Sequence, residues 1–114
     1  MEHSMWLHPA PMEMIRSGRK TIELRLYDEK RRGISAGDTI CFRSREDPQD
    51  TLRVQVEDIY IFSSFAELYR ELPLLQCGYT AENAASASPD DMTEYYSKEE
   101  QARFGVVGIR IKLL

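Results

Sequence analysis

A short stretch near the start of the chain concentrates residue types that could bind or process a nucleotide-like ligand. Lys20, Glu23 and Arg25 lie within six positions. On a strand, Glu23 and Arg25 share one face with Cα atoms roughly 6.5 to 7 Å apart, and Lys20 precedes that strand at a turn. Lysine supplies a point charge or a base, arginine a planar fork, and glutamate a proton carrier or an acceptor for a base amine. The alternative is an ion-pair network that only stabilises a sheet face.

The charge distribution is compatible with an anionic ligand at this stretch and equally with a charged surface. Residues 16–32 hold seven cations and three acids, a local surplus of four, whereas the whole chain has a net charge of −4. A basic segment on an acidic body attracts an anion locally and argues against a protein that coats DNA nonspecifically. The alternative is a solvated, charged strand edge that discourages sheet association.

Further ligand contacts are expected around these three residues. Aromatic rings accept any nucleobase by stacking, and we expect Trp6, Tyr27 and Tyr96 to do so, with Tyr95 packed in the core. Polar contacts come from the same basic segment, and we expect them at Thr21, Lys30 and Arg31.

Neither a metal nor a cofactor is expected. His3 and His8 are far from any cysteine pair, and Cys41 and Cys77 lack the spacing of a zinc site. We expect two free thiols in a reducing cytoplasm, Cys41 buried and Cys77 exposed. No glycine-rich loop of the ATP- or NAD-binding type is present.

Periodicity places these residues on an α+β framework. It predicts a helix at 10–17, strands at 21–27, 39–43 and 52–62, a helix at 65–72 capped by Ser64 and Glu67, a helix at 89–104 and a strand at 106–114. The apolar phase shifts inside the third strand, which predicts a bulge. Strands far apart in sequence favour a sheet curled into a barrel, with helices outside.

The length of 114 residues predicts a single domain covering 1–114. No apolar run is long enough to span a membrane, and no targeting segment is visible. We expect a soluble, cytoplasmic protein that is a monomer or a weak homodimer.

The run Gly18-Arg19-Lys20-Thr21-Ile22-Glu23-Leu24-Arg25 resembles the G-x-K-x-x-E-x-R motif of the ASCH domain family, in the PUA-like superfamily. Further segments resemble small stand-alone ASCH proteins in the same order: 27–32, Gly37-Asp38, 63–65, Tyr95-Tyr96 and 105–109. The resemblance implies a PUA-like β-barrel of mixed strands whose basic cleft binds RNA or a nucleotide, in RNA metabolism or translation. It places the site at Lys20, Glu23 and Arg25.

The same resemblance leaves an enzymatic alternative open. Some relatives are amidohydrolases that deacetylate N4-acetylcytidine, and others have been proposed as ribonucleases. Their catalytic lysine corresponds to Lys20, their threonine corresponds to Glu23, and their catalytic glutamate falls where this chain offers Asp90 or Asp91. A metal-independent amidohydrolase would use Lys20 as the base and Glu23 as a proton relay. A third possibility is a module that binds a protein partner through the acidic stretch 67–100.

Overall fold

The computed structural model describes all residues, 1–114, as a curled five-stranded sheet with helices on its outside. The strands are β1 (Glu2–Leu7), β2 (Ile22–Leu26), β3 (Thr39–Ser44), β4 (Thr51–Phe62) and β5 (Val106–Leu113). The α-helices are α1 (Pro9–Arg16), α2 (Glu29–Arg32), α3 (Phe65–Glu71) and α4 (Lys98–Phe104). Three 3₁₀ segments, Leu74–Cys77, Ala84–Ser86 and Pro89–Glu94, connect α3 to α4. The expected α+β barrel of mixed strands is confirmed.

The sheet is an open half-barrel whose two edges face each other. Its strand order is β1-β3-β4-β5-β2; β1 runs parallel to β3, and every other pair is antiparallel. The edge strands β1 and β2 are joined where Arg25 Nη2 donates a hydrogen bond to the Trp6 carbonyl at 2.9 Å. This contact bridges the gap in the barrel.

Strand β4 bends at the bulge that its apolar phase predicts. Its pairing with β5 shifts register between Val56 and Asp58. A bulge adds a residue to one strand and increases its local twist. The long strand can therefore curl, and it carries the sheet from β3 towards β5 and β2.

Two apolar clusters lie on opposite sides of the curled sheet. One fills the barrel beneath α1 and includes Met12, Phe42 and Ile109. The other packs β2 under α3 and includes Ile22 and Phe65. Strand β2 therefore has neighbours on both faces, and all five of its residues are buried.

Three elements differ from those that periodicity predicts. The strand β1 was not predicted because only Met5 and Leu7 alternate as buried residues, and its pairing with β3 defines it. The four-residue helix α2, which Asp28 caps, was also not predicted. The single helix predicted at 89–104 is wrong, since a 3₁₀ segment ends at Glu94 and α4 begins after a new capping box of Ser97 and Glu100.

Other expectations were confirmed or corrected. The helix at 10–17, the strands at 39–43 and 52–62, and the Ser64 cap are confirmed. The expected return contact from Glu67 is wrong, because the Glu67 carboxylate accepts instead from the Ser63 hydroxyl. The expected exposure of Cys77 is wrong, because Cys77 packs in the cluster under α3, and Cys41 is only partly buried. No helix is long and apolar enough to cross a membrane.

Candidate ligand-binding cleft

Lys20, Glu23 and Arg25 form one ion-paired cluster, as their spacing predicts. Glu23 Oε1 lies 2.6 Å from Lys20 Nζ, and Glu23 Oε2 lies 2.7 Å from Arg25 Nη2. Arg25 Nε also donates a hydrogen bond to Oε2 at 2.8 Å. Both carboxylate oxygens are therefore occupied by cations.

This cluster is buried, and the pKa of Glu23 reflects its two partners. Glu23 is only 2% exposed, and Lys20 and Arg25 are also buried. Burial alone would raise the pKa of Glu23, but attraction to Lys20 and then to Arg25, with their hydrogen bonds, lowers it from 4.5 to about 2. Glu23 is therefore ionised at neutral pH and holds both cations in place.

Local backbone structure places Lys20 at the mouth of the cluster. Helix α1 ends in a turn in which Gly18 has a φ of 82°, and the Lys20 N–H donates to the Met14 carbonyl at 3.0 Å. Across the cleft, the Lys20 side chain passes over Gly78, where an added Cβ would lie 3.5 Å from Lys20 Cδ. That distance is an ordinary van der Waals contact, so it is the φ of 111° at Gly78 that favours glycine here.

The cluster forms the floor of a cleft of about 730 Å³ between the edge strands. Two aromatic residues line this cleft and yet remain open to solvent: Trp6 on β1, 46% exposed, and Tyr95 after the last 3₁₀ segment, 60% exposed. Tyr96 also lines the cleft, and its ring stacks on Phe65 with centroids 6.4 Å apart. The expectation that Tyr95 packs in the core is therefore wrong.

A chain of hydroxyl groups supports a carboxylate on the cleft wall. The Tyr69 and Tyr79 hydroxyl oxygens lie 2.6 Å apart, and the Tyr79 hydroxyl donates to Asp91 Oδ2 at 2.6 Å. The Ser88 N–H donates to the same oxygen at 3.1 Å. The Tyr79 hydrogen bond, followed by that of Ser88, lowers the pKa of Asp91. Asp91 is thus an oriented, ionised acceptor whose Oδ1 makes no hydrogen bond to the protein.

The charges lining the cleft balance, in contrast to the expected basic cleft. Its cations are Lys20, Arg25 and Arg45, and its acids are Glu23, Asp91 and Glu94. The surplus of positive charge in residues 16–32 therefore does not all reach the cleft. An electrically balanced cleft suits an uncharged, polar ligand group better than a row of phosphates.

The remaining predicted site residues lie outside the cleft lining. Thr21 donates through Oγ1 to Gln76 at 3.4 Å, and Tyr27 lies under the Arg32 guanidinium at 4.4 Å. Lys30 and Arg31 belong to α2. The structure therefore brings five of the predicted site residues together in the cleft: Trp6, Lys20, Glu23, Arg25 and Tyr96. The other four, which are Thr21, Tyr27, Lys30 and Arg31, lie elsewhere.

Sequence reasoning passed over Tyr79, Arg45 and the exposure of Tyr95. Tyr79 and Arg45 lie in irregular segments whose approach to β2 depends on the tertiary fold. One signal was available for Tyr95: the sequence Ser97-Lys98-Glu99-Glu100 is a capping box, which starts a new helix and excludes Tyr95 from it. No group of three or more His, Cys, Asp or Glu side chains could hold a metal ion.

A family comparison adds to this geometry. The ASCH domain model matches residues 5–114. This chain belongs to the ASCH domain family. Its mixed sheet, curled into a half-barrel with helices outside, is the PUA-like fold that the sequence motif implies.

Solved structures agree with this assignment to the ASCH family. The hypothetical protein PH0355 is 34% identical, with 100% of each chain covered and a TM-score of 0.81. Protein PF0455 from Pyrococcus furiosus is also 34% identical, with a TM-score of 0.71 over 100% of this chain and 98% of that one. A mutant form of an ASCH protein from Zymomonas mobilis is 14% identical, with a TM-score of 0.67 over 97% of this chain and 68% of that one. None of the curated proteins matches this sequence.

Proposed function

We propose that this ASCH-domain protein binds single-stranded RNA and takes one nucleobase into the cleft between β1 and β2. The observation that carries the proposal is the pair of solvent-exposed aromatic rings, Trp6 and Tyr95, lining a cleft with a polar floor. Large aromatic side chains usually bury most of their surface in a core or an interface. Exposed rings beside polar groups are typical of sites where unpaired bases stack.

The floor of the cleft offers donors and an acceptor for the edge of a base. The Lys20 ammonium has three donors and gives one of them to Glu23, so two remain for a ligand. Asp91 Oδ1 can accept from an exocyclic amine, because Tyr79 and Ser88 hold only the other oxygen. The balance of charge in the lining suits an uncharged base.

Fluorescence anisotropy of a labelled single-stranded RNA tests the proposal. Trp6→Ala and Tyr95→Ala should each weaken binding by about 1 to 3 kcal/mol, the usual contribution of one stacked base. Trp6 is half-exposed and Tyr95 is mostly exposed, so truncating either side chain should leave the fold intact. Leu75→Ala is the matched control, because Leu75 is exposed and lies outside the cleft lining. Equal affinities for all four proteins would overturn the proposal.

Hydrolysis of an acylated nucleoside is the second candidate, favoured because Lys20 and Asp91 line the same cleft. Glu23 is poorly suited to relay a proton, since both of its oxygens hold cations. Asp91, whose Oδ1 makes no hydrogen bond to the protein, would instead accept the proton of the attacking water. It would then pass this proton to the departing amine nitrogen, so that acetate and cytidine are released. Incubation with N4-acetylcytidine, followed by chromatography, should then release cytidine with the wild type and not with Asp91→Asn. No release by the wild type would contradict this candidate.

A further inference from the structure

A second concave surface lies outside the cleft, between α2 and the end of α4. We call it the α2–α4 groove. It is lined by Asp28, Glu29, Lys30, Arg32, Arg103 and Phe104. It contains two cations of the basic segment 16–32, Lys30 and Arg32, together with Arg103 from α4.

The cations of this groove are not neutralised by the protein. Lys30, Arg32 and Arg103 have no carboxylate oxygen within 4.0 Å. Asp28 is already occupied, because its Oδ2 lies 2.8 Å from Arg31 Nη1. Three free cations therefore face a single free acid, Glu29.

Two of these guanidinium groups are held in place by neutral partners. Arg32 Nη2 donates to the Phe104 carbonyl at 3.2 Å, and its Cζ lies 4.4 Å from the centre of the Tyr27 ring. Arg103 Cζ lies 5.0 Å from the centre of the Phe104 ring. Carbonyl and aromatic contacts orient an arginine without cancelling its charge, so both remain available for an anion.

One hydrogen-bond donor on α2, next to the groove, lacks an acceptor. Arg31 Nε is buried and has no hydrogen-bond partner. The pKa of Lys30 is lowered, first by partial burial and then by the positive charges of Arg31 and Arg25. A group with several acceptor oxygens would relieve this repulsion.

Two short segments of the chain connect the groove to the cleft. Strand β2 contributes Arg25 to the cleft, and Asp28 caps α2 just after that strand ends. Tyr96 lines the cleft just before α4, and Arg103 lies in the last turn of α4. Seven helical residues span about 10 Å, so one short strand of RNA can reach both surfaces.

We infer that the α2–α4 groove binds a backbone phosphate of the RNA strand whose base occupies the cleft. The ligand is then a polynucleotide, not a free nucleoside. This inference rests on the proposed function. It adds a second site, whose cations would neutralise the negative charge of a backbone phosphate.

The test compares two double variants that remove the same charge. Arg32→Gln with Arg103→Gln changes the groove. Arg70→Gln with Lys112→Gln changes two exposed cations that, like those of the groove, have no carboxylate within 4.0 Å, and that lie outside both the groove and the cleft. Affinity for a short fluorescein-labelled oligocytidylate, whose bases carry an exocyclic amine, is measured at several salt concentrations, and thermal unfolding checks each fold. The groove variant should bind roughly tenfold more weakly at low salt, with a salt slope smaller by about 0.7 for each lost phosphate contact. The control should bind like the wild type.

The outcomes separate this inference from the proposed function. If both double variants bind oligocytidylate equally while Trp6→Ala binds weakly, the groove is not a phosphate site and the cleft proposal stands. If the groove variant binds weakly while Trp6→Ala binds like the wild type, the groove binds phosphate on its own, and both the cleft proposal and the joint site fail. If wild-type protein binds no oligocytidylate, both are overturned.

Discussion

Glu23 is the side chain that organises the polar floor of the cleft. It accepts from cations on both sides, and it is buried with them. Sequence spacing alone suggests that glutamine, which has the same size and an acceptor oxygen, would be tolerated here. Burial changes that expectation, because Glu23→Gln leaves two buried cations without a counter-charge.

We predict that Glu23→Gln lowers the free energy of unfolding by about 3 to 5 kcal/mol, the usual cost of breaking a buried ion pair. Urea denaturation measures this loss. Glu13→Gln is the control, since Glu13 pairs with Arg16 on the surface and an exposed pair contributes about 0 to 1 kcal/mol. Equal losses in the two variants would show that Glu23 is not a structural centre of the cleft.

The Glu23 carboxylate also makes the stability of the fold depend on pH. The folded-state pKa of Glu23, about 2, lies below the ordinary 4.5, so folding favours its ionised form. Its contribution to stability is complete above pH 4.5 and is lost as the pH falls towards 2. Urea denaturation at several pH values should show a shallower decline over this range in Glu23→Gln than in the wild type. Parallel declines would contradict the assignment.

At the scale of elements, Gly105 sets the turn from α4 into β5. It has a φ of 73° and a ψ of −174°, a region open essentially only to glycine, and an added Cβ would lie 3.0 Å from the Phe62 carbonyl. Gly105→Ala should therefore destabilise the fold by about 1 to 3 kcal/mol in thermal unfolding.

Gly33 provides the matched control for this substitution. Its φ is −84°, and an added Cβ would meet nothing closer than 3.8 Å. Gly33→Ala should change stability by less than about 0.5 kcal/mol or slightly increase it. A Gly105→Ala variant as stable as Gly33→Ala would contradict the strained turn.

The sequence was sufficient for elements whose signals are local. The alternation of β2 and β5, the bulge of β4 and the Ser64 cap all follow from neighbouring residues. β1 was missed because it depends on pairing with β3, a partner more than thirty residues away. The Lys20, Glu23 and Arg25 cluster was predictable, since one turn and one strand bring it together.

The walls of the cleft were harder to predict than its floor. Tyr79 and Tyr95 reach the cleft from irregular segments between α3 and α4. In such segments no periodic pattern in the sequence indicates which residues face the cleft. The expected basic cleft was misplaced for a similar reason. Arg25 lies on β2 and lines the cleft, whereas Lys30 and Arg32 lie on α2 and line the α2–α4 groove.

At the scale of the whole molecule, the net charge of −4 limits nonspecific attraction to nucleic acid. Under the proposed function, recognition comes from an unpaired base that enters the cleft, which a duplex does not offer. We predict that a duplex of the same sequence competes with labelled single-stranded RNA at least roughly tenfold less well than unlabelled single strand. A competition titration at fixed salt measures this, and equal competition would show that the protein binds phosphates alone.

The most direct test uses the intrinsic fluorescence of Trp6. It is the only tryptophan in the chain, and it lies half-exposed in the lining of the proposed base site. Titration with single-stranded RNA should change its emission in a saturable way, with the same midpoint as binding followed by anisotropy, because a stacked base contacts the indole ring. RNA binding that is complete by anisotropy but leaves the Trp6 emission unchanged would contradict the placement of a base in this cleft.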